Sequence, residues 1–260
     1  MNQLATPSLV NTTDTDGVRT LTMGAAPAHP LSLPMITAIH AALHDAATDT
    51  GVNVVILSGP GHIFCAGHDL KEINRHRDTP DNGEAFLHDL FTACGDMMQT
   101  LAAFPKPTIA MVDGIATAAG LQMMASCDLV FASPRAQFCL PGVNNGGFCT
   151  TPAVGVSRSV GQKHLMELLL SGEKKSADWG LNAGLVNRVI PSETLGQETL
   201  AFATNLARRN AGPISAGKAA VQAQQDLPLD QAYALATPVM VGHFLDPGRL
   251  AAEKNSKFKG

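Results

Sequence analysis

Two loops of this chain carry residue types that can hold a developing negative charge. The first reads Gly59-Pro60-Gly61-His62-Ile63-Phe64-Cys65-Ala66-Gly67-His68-Asp69-Leu70-Lys71-Glu72. It follows the short apolar run Val54-Val55-Ile56-Leu57, and its glycines let backbone N–H groups approach a ligand without side-chain obstruction. The second reads Val112-Asp113-Gly114-Ile115-Ala116-Thr117-Ala118-Ala119-Gly120-Leu121-Gln122. It also leaves an apolar run, Thr108 to Val112, and passes through small residues into a helical segment. Free N–H groups at a helix start stabilise negative charge. Two such loops, each donating one N–H to the same oxygen, make an oxyanion hole, usually among the larger catalytic terms. By composition alone, a tight connecting turn is the commoner meaning of the first loop, and the second also suits the close packing of small residues.

The elements that position these loops alternate in type. Ser32 caps a helix that Pro34 helps to start, and Ile36, Ile39, Leu43 and Ala47 fall on one face of it. Val54–Leu57, Thr108–Val112, Leu129–Ala132 and Val186–Ile190 are runs suited to buried strands. Helices are expected over 84–100, through Leu121, Met124 and Ala125, through Leu165 to Leu170 with a stop at Gly172, and from Ser176 to Gly184. Strands separated by helices pair in parallel, and ligands gather where such strands end and helices begin. From Glu193 onward the pattern is helical only. The reading is an α/β core over residues 1–192, with a loose lead-in over 1–17, and a helical region over 193–260.

The bulk properties narrow the function classes. A chain of 260 residues has ample length for a buried core, and a net charge of −4 gives no footprint for nucleic acid or an anionic membrane. The five cysteines form no CxxC pair, which fits a reduced intracellular protein without a disulfide framework or a metal site. No apolar run spans a membrane, and Met1 to Asp16 is neither a secretory signal nor an Arg-rich transit peptide, so the expected compartment is the cytoplasm.

The two loops resemble the oxyanion-hole motifs of the crotonase, or enoyl-CoA hydratase/isomerase, superfamily. The first matches its F-x-A-G-x-D-[LI]-K-E pattern and the second its V-[ND]-G-x-A-x-[GA]-[GA]-G pattern, followed by Ser126-Cys127-Asp128-Leu129. Ala136-Gln137-Phe138-Cys139-Leu140-Pro141-Gly142-Val143 falls where the family has F-x-x-P-E-[IV]. Ser171-Gly172-Glu173, Gly184-Leu185-Val186-Asn187-Arg188-Val189 and Phe258-Lys259 match later family segments. The resemblance implies a spiral of repeated β-β-α units, a helical C-terminal trimerisation region, and homotrimers or hexamers. It implies an acyl-CoA ligand, with coenzyme A part of the substrate and no other cofactor. The thioester oxygen would lie between the N–H groups of His68 and Ala119, flanked by Ala66, Gly67, Asp69, Leu70, Lys71 and Gly120. Lys71 would neutralise a CoA phosphate, and His29 and Leu31 fall near the loop that holds adenine in the family.

The same resemblance marks two departures. Hydratases of the family use paired carboxylates for proton transfer. Their positions read Gln122, which cannot accept a proton from water, and Gly142, which has no side chain. The expected activity is therefore nominally enoyl-CoA hydratase, a lyase that stabilises a thioester enolate. The alternatives are decarboxylation or other enolate chemistry using the His68 ring, and acyl-CoA binding without catalysis. His88 lies where a related aroyl-CoA dehalogenase has its base, but Asn144 and Asn145 offer amides where that chemistry needs a carboxylate. Cys149 precedes a helix start and is a candidate nucleophile; a small buried hydrophobe is the other reading. Phe86, Leu87, Leu90, Phe91, Met97 and Met98 either line the acyl pocket or pack their own helix into the core.

Overall fold

The structure is a computed structural model and describes residues 8–255. Asp16 and Gly17 both have positive φ (49° and 80°), the backbone of a two-residue hairpin turn. This turn joins β1 (Val10–Thr15) to β2 (Val18–Met23), with Thr15 opposite Val18. The lead-in expected over 1–17 is thus strand from Val10 onward. Its residues are mostly polar because β1 is an exposed sheet edge and buries little.

The chain continues through α1 (Leu33–Thr48), whose cap Ser32 accepts the Met35 N–H at 3.2 Å, then β3 (Val54–Ser58) and β4 (Ile63–Cys65). Next come α2 (Leu70–Arg75), α3 (Glu84–Ala102), β5 (Thr108–Val112), β6 (Ile115–Thr117) and α4 (Ala119–Ala125). They are followed by β7 (Leu129–Ala132), β8 (Gln137–Cys139), a 3-10 turn (Pro141–Asn145), α5 (Thr150–Val156) and α6 (Gln162–Ser171). Then β9 (Lys175–Ser176), α7 (Ala177–Asn182) and β10 (Arg188–Val189) complete the strands. The chain closes with α8 (Leu195–Ala207), α9 (Ala211–Gln224), α10 (Leu229–Phe244) and α11 (Pro247–Asn255).

The strands form two sheets. The larger has the order β1-β2-β3-β5-β7-β10 and is parallel except at β1; the smaller has the order β4-β6-β8-β9 and is parallel except at β9. Each successive pair, β3-β4, β5-β6 and β7-β8, puts one strand in each sheet before the chain turns into helix. This is the expected β-β-α spiral. β3 is buried along its whole length, and Phe64, Phe104, Phe131 and Phe138 are fully buried. Each such side chain contributes about 1.5–3 kcal/mol.

Helix α8 seals the outer face of the large sheet: Leu195, Ala203 and Ala207 pack with Val18, Val54, Ile56, Ile109 and Phe131. A division at residue 192 therefore separates α8 from the sheet it covers. Helices α9 and α10 pack on each other yet bury no residue fully. Lys218 of α9 ties them to the core by donating to Asp128 at 2.6 Å and to the Lys106 carbonyl at 3.1 Å. Among the described residues no helix is long and apolar enough to cross a membrane.

Candidate active site

Strands β4 and β6 are parallel neighbours, with Ile63 beside Ile115 and Cys65 beside Ala116. Their two following loops therefore leave the small sheet side by side. Gly67 has φ +82°, and a Cβ there would sit 3.0 Å from the Ala118 Cβ and 3.3 Å from the Ala119 nitrogen. Glycine is required on both counts. Opposite it, Ala118 has φ +51°, uncommon for a residue with a Cβ, and its N–H is pinned to the Cys139 carbonyl at 3.1 Å. Ala119 opens α4 and is not a positive-φ residue, so alanine is unstrained there. A side chain at Gly120 would overlap the Cys65 carbonyl, so the two loops touch through backbone.

His68 is held from the other side. The Leu31 N–H donates to the Gly67 carbonyl at 2.8 Å, and the Asp69 N–H to the Leu31 carbonyl at 3.3 Å. Among the described residues neither the His68 N–H nor the Ala119 N–H donates to a protein acceptor. The His68 ring is partly buried, edge-on to Phe91 with centroids 5.0 Å apart, and its Nδ1 lies 3.4 Å from the Leu31 carbonyl. Burial lowers its pKa below the ordinary value, against the opposing pull of that carbonyl. The ring is thus neutral near neutral pH, which removes a cationic proton donor at His68.

Gln122 sits one helical turn beyond Ala119, 5% exposed, with a buried Oε1 that lacks a hydrogen-bond partner. An unpaired buried acceptor costs about 1–3 kcal/mol. Gly142 is a steric glycine, because a Cβ there would lie 2.7 Å from the Cys149 nitrogen and 2.8 Å from the Phe148 carbonyl carbon. The returning segment of the loop occupies the space a side chain would need.

Several expected ligand contacts do not fit. His29 is fully buried, its two ring nitrogens 2.5 and 2.8 Å from the carbonyls of Gly24 and Pro60, and Leu31 is in the core. Neither side chain can reach a CoA. Asp69 caps α2, accepting the N–H groups of Lys71 (2.9 Å) and Glu72 (3.3 Å), so its carboxylate is spent on the helix. The Ala66 N–H is taken by the Ala28 carbonyl at 3.0 Å. Cys149 is also corrected. It is 9% exposed, burial pushes its thiol pKa up, and its sulfur accepts the Gly142 N–H at 3.3 Å. A protonated, buried thiol is no nucleophile. All five cysteines are buried and free. Leu70 and Lys71 are exposed on the first turn of α2, beside the hole. Phe258 and Lys259 lie outside the described residues.

His88 is exposed on α3 and lines an open cleft of about 460 Å³ together with Arg77, Asp81, Leu87, Phe91 and Thr92. Phe91 belongs both to this cleft and to the His68 contact, so the cleft adjoins the hole. Of the six apolar residues considered for the acyl pocket, Leu90, Met97 and Met98 turn into the core and Phe86 stacks on His76 at 3.7 Å. Only Leu87 and Phe91 face the cleft. Arg77 was not legible as a site residue, because its place depends on how α2 and α3 fold against each other. Among the described residues no cluster of three or more metal-ligating side chains occurs.

Known proteins share the sequence and fold of this chain. A family profile described as Enoyl-CoA hydratase/isomerase matches residues 13–247. The rat protein named Enoyl-CoA hydratase domain-containing protein 3, mitochondrial, is 37% identical over 236 residues, covering 90% of this chain and 77% of its own. The Gly67-His68-Asp69 and Ala116-Thr117-Ala118-Ala119-Gly120 variants already resemble that group. The crystal structure of its human counterpart superposes with a TM-score of 0.89 at 34% identity, over 95% of this chain and 96% of that one. An enoyl-CoA hydrotase/isomerase family protein from Silicibacter pomeroyi gives a TM-score of 0.88 at 56% identity, over 92% of this chain and 100% of that one. The expectation of a cytoplasmic protein does not stand, since the rat, mouse and human relatives are all named as mitochondrial. Family profile, relatives and fold agree that the chain belongs to the enoyl-CoA hydratase/isomerase family.

Proposed function

We propose that this protein binds an acyl-CoA thioester with the carbonyl oxygen between the N–H groups of His68 and Ala119, and that these stabilise the enolate formed from it. The observation that carries the reading is the pair of unspent N–H groups on adjacent parallel loops. Coenzyme A enters as part of the substrate, and Lys71 at the rim meets a phosphate as a point charge. The nominal reaction is enoyl-CoA hydration. Gln122 Oε1 accepts a hydrogen bond from the attacking water but cannot take its proton, and position 142 supplies no second group. Each missing acid or base costs roughly 10²–10⁴-fold in rate. Calorimetry with crotonyl-CoA should show stoichiometric binding. Hydration measured alongside should fall below the usual range of about 1–10³ per second. Failure to bind any acyl-CoA would remove this reading.

The steric glycine at position 142 favours a second reading, an acyl-CoA-binding protein without catalysis. Hydration above the buffer rate, abolished by Gln122→Leu, would exclude it. The exposed faces of α9 to α11 fit further copies of the same chain, in a homotrimer or hexamer.

A further inference from the structure

The cleft beside His68 has two stripes on one helix. Leu87 and Phe91 are four residues apart on α3, and so are Glu84, His88 and Thr92 in succession, so an apolar and a polar row run side by side. Phe91 touches the His68 ring, placing the apolar row next to the thioester end. Arg77, from the turn after α2, also lines the space. Among the described residues the His88 ring and the Thr92 hydroxyl make no hydrogen bond, and Arg77 spends only Nη1, on the Asn82 carbonyl at 2.8 Å. The cleft wall is fixed: Asp81 accepts the Thr79 hydroxyl at 2.6 Å and the N–H groups of Gly83 and Ala85 at 3.1 and 2.9 Å. It is an open cleft of about 460 Å³.

An alkyl chain lying along this open cleft would cover part of Arg77, His88 and Thr92 and return no hydrogen bond. A distal oxygen would answer them. Asp81 is already spent, but the Glu84 carboxylate remains at the cleft and opposes a second negative charge. We infer that the acyl group taken by this site carries an uncharged, hydrogen-bonding oxygen at its far end, a hydroxyl, read by His88 and Arg77. The inference rests on the thioester reading above and adds the substrate class to it.

The test is calorimetry of the whole protein with hexanoyl-CoA, its ω-hydroxy congener and its ω-carboxy congener. The ω-hydroxy ester is expected to bind roughly tenfold more tightly than hexanoyl-CoA, one to two hydrogen bonds' worth, with the ω-carboxy ester weaker than the hydroxy. Hexanoyl-CoA serves as the internal reference for His88→Leu and Arg77→Met, each of which should bring the hydroxy-to-alkyl ratio toward one. Both side chains are exposed, so folding is not at stake. An alkyl ester that binds as well as the hydroxy ester in the unaltered protein would overturn the inference. So would a ratio that survives both substitutions, or a preference for the carboxylate. If none of the three esters binds, the thioester reading itself fails, and the two failures are told apart by hexanoyl-CoA alone.

Discussion

Gly142 shows how backbone contact closes a position to any side chain. Its missing side chain is not a gap, because the backbone of Phe148 and Cys149 fills the place. Restoring a carboxylate there would force the loop open. Gly142→Ala is expected to destabilise the protein by about 1–3 kcal/mol, the usual cost of overpacking, read as a lower urea midpoint with unchanged slope. An unchanged midpoint would mean that the loop yields freely. Gly142→Glu should be worse and should not yield a hydratase. Gln122→Glu preserves shape and is the substitution the site can hold. At this scale the sequence was legible in part. That positions 122 and 142 carry Gln and Gly could be read directly from the motifs. That His29 and Cys149 are sealed in the interior could not, because burial is decided by chain segments remote in sequence.

Among the elements, α2 is the most exposed to a single change. It is six residues long, and its cap Asp69 follows His68 directly. Asp69→Ala should cost about 1 kcal/mol, visible in thermal unfolding, with Asp69→Asn retaining most of it. Acyl-CoA affinity should fall as well, because the cap holds the turn that presents the His68 N–H; unaltered affinity would detach α2 from the site. The central strands of the large sheet, β3, β5 and β7, were legible because each is a short, largely apolar run. Those of the small sheet were not. With two or three residues each, β4, β6, β8 and β9 are too brief to establish a period. The β1–β2 hairpin was overlooked although Asp16-Gly17 is a strong turn signal, since the polar residues before it read as a tail.

For the whole molecule, the chief asymmetry is between a dense spiral and helices that bury little. Leu229 is 75% exposed, and Tyr233, Leu245 and Val221 are also open on α9, α10 and the turn after them. The homo-oligomer proposed above would cover these apolar side chains. Sedimentation should give a multiple of the single-chain mass, and Leu229→Asp with Tyr233→Asp should shift it toward the monomer while the spiral stays folded. A monomeric parent protein would exclude assembly through this surface. The helical character of the described residues from Leu195 to Asn255 was readable from pattern, but α8 belongs with the sheet it covers, a fact settled by packing rather than by periodicity.

The five buried cysteines give the interior one more property. Burial pushes the thiols of Cys65, Cys94 and Cys127 up to about 12, so they stay protonated at any physiological pH. Oxidants and electrophiles act on the thiolate. The folded protein therefore withholds these three thiols from peroxide and alkylating metabolites alike, and they become vulnerable only in the instants when the core opens. The resistance of these thiols to such damage is set by how often the core opens.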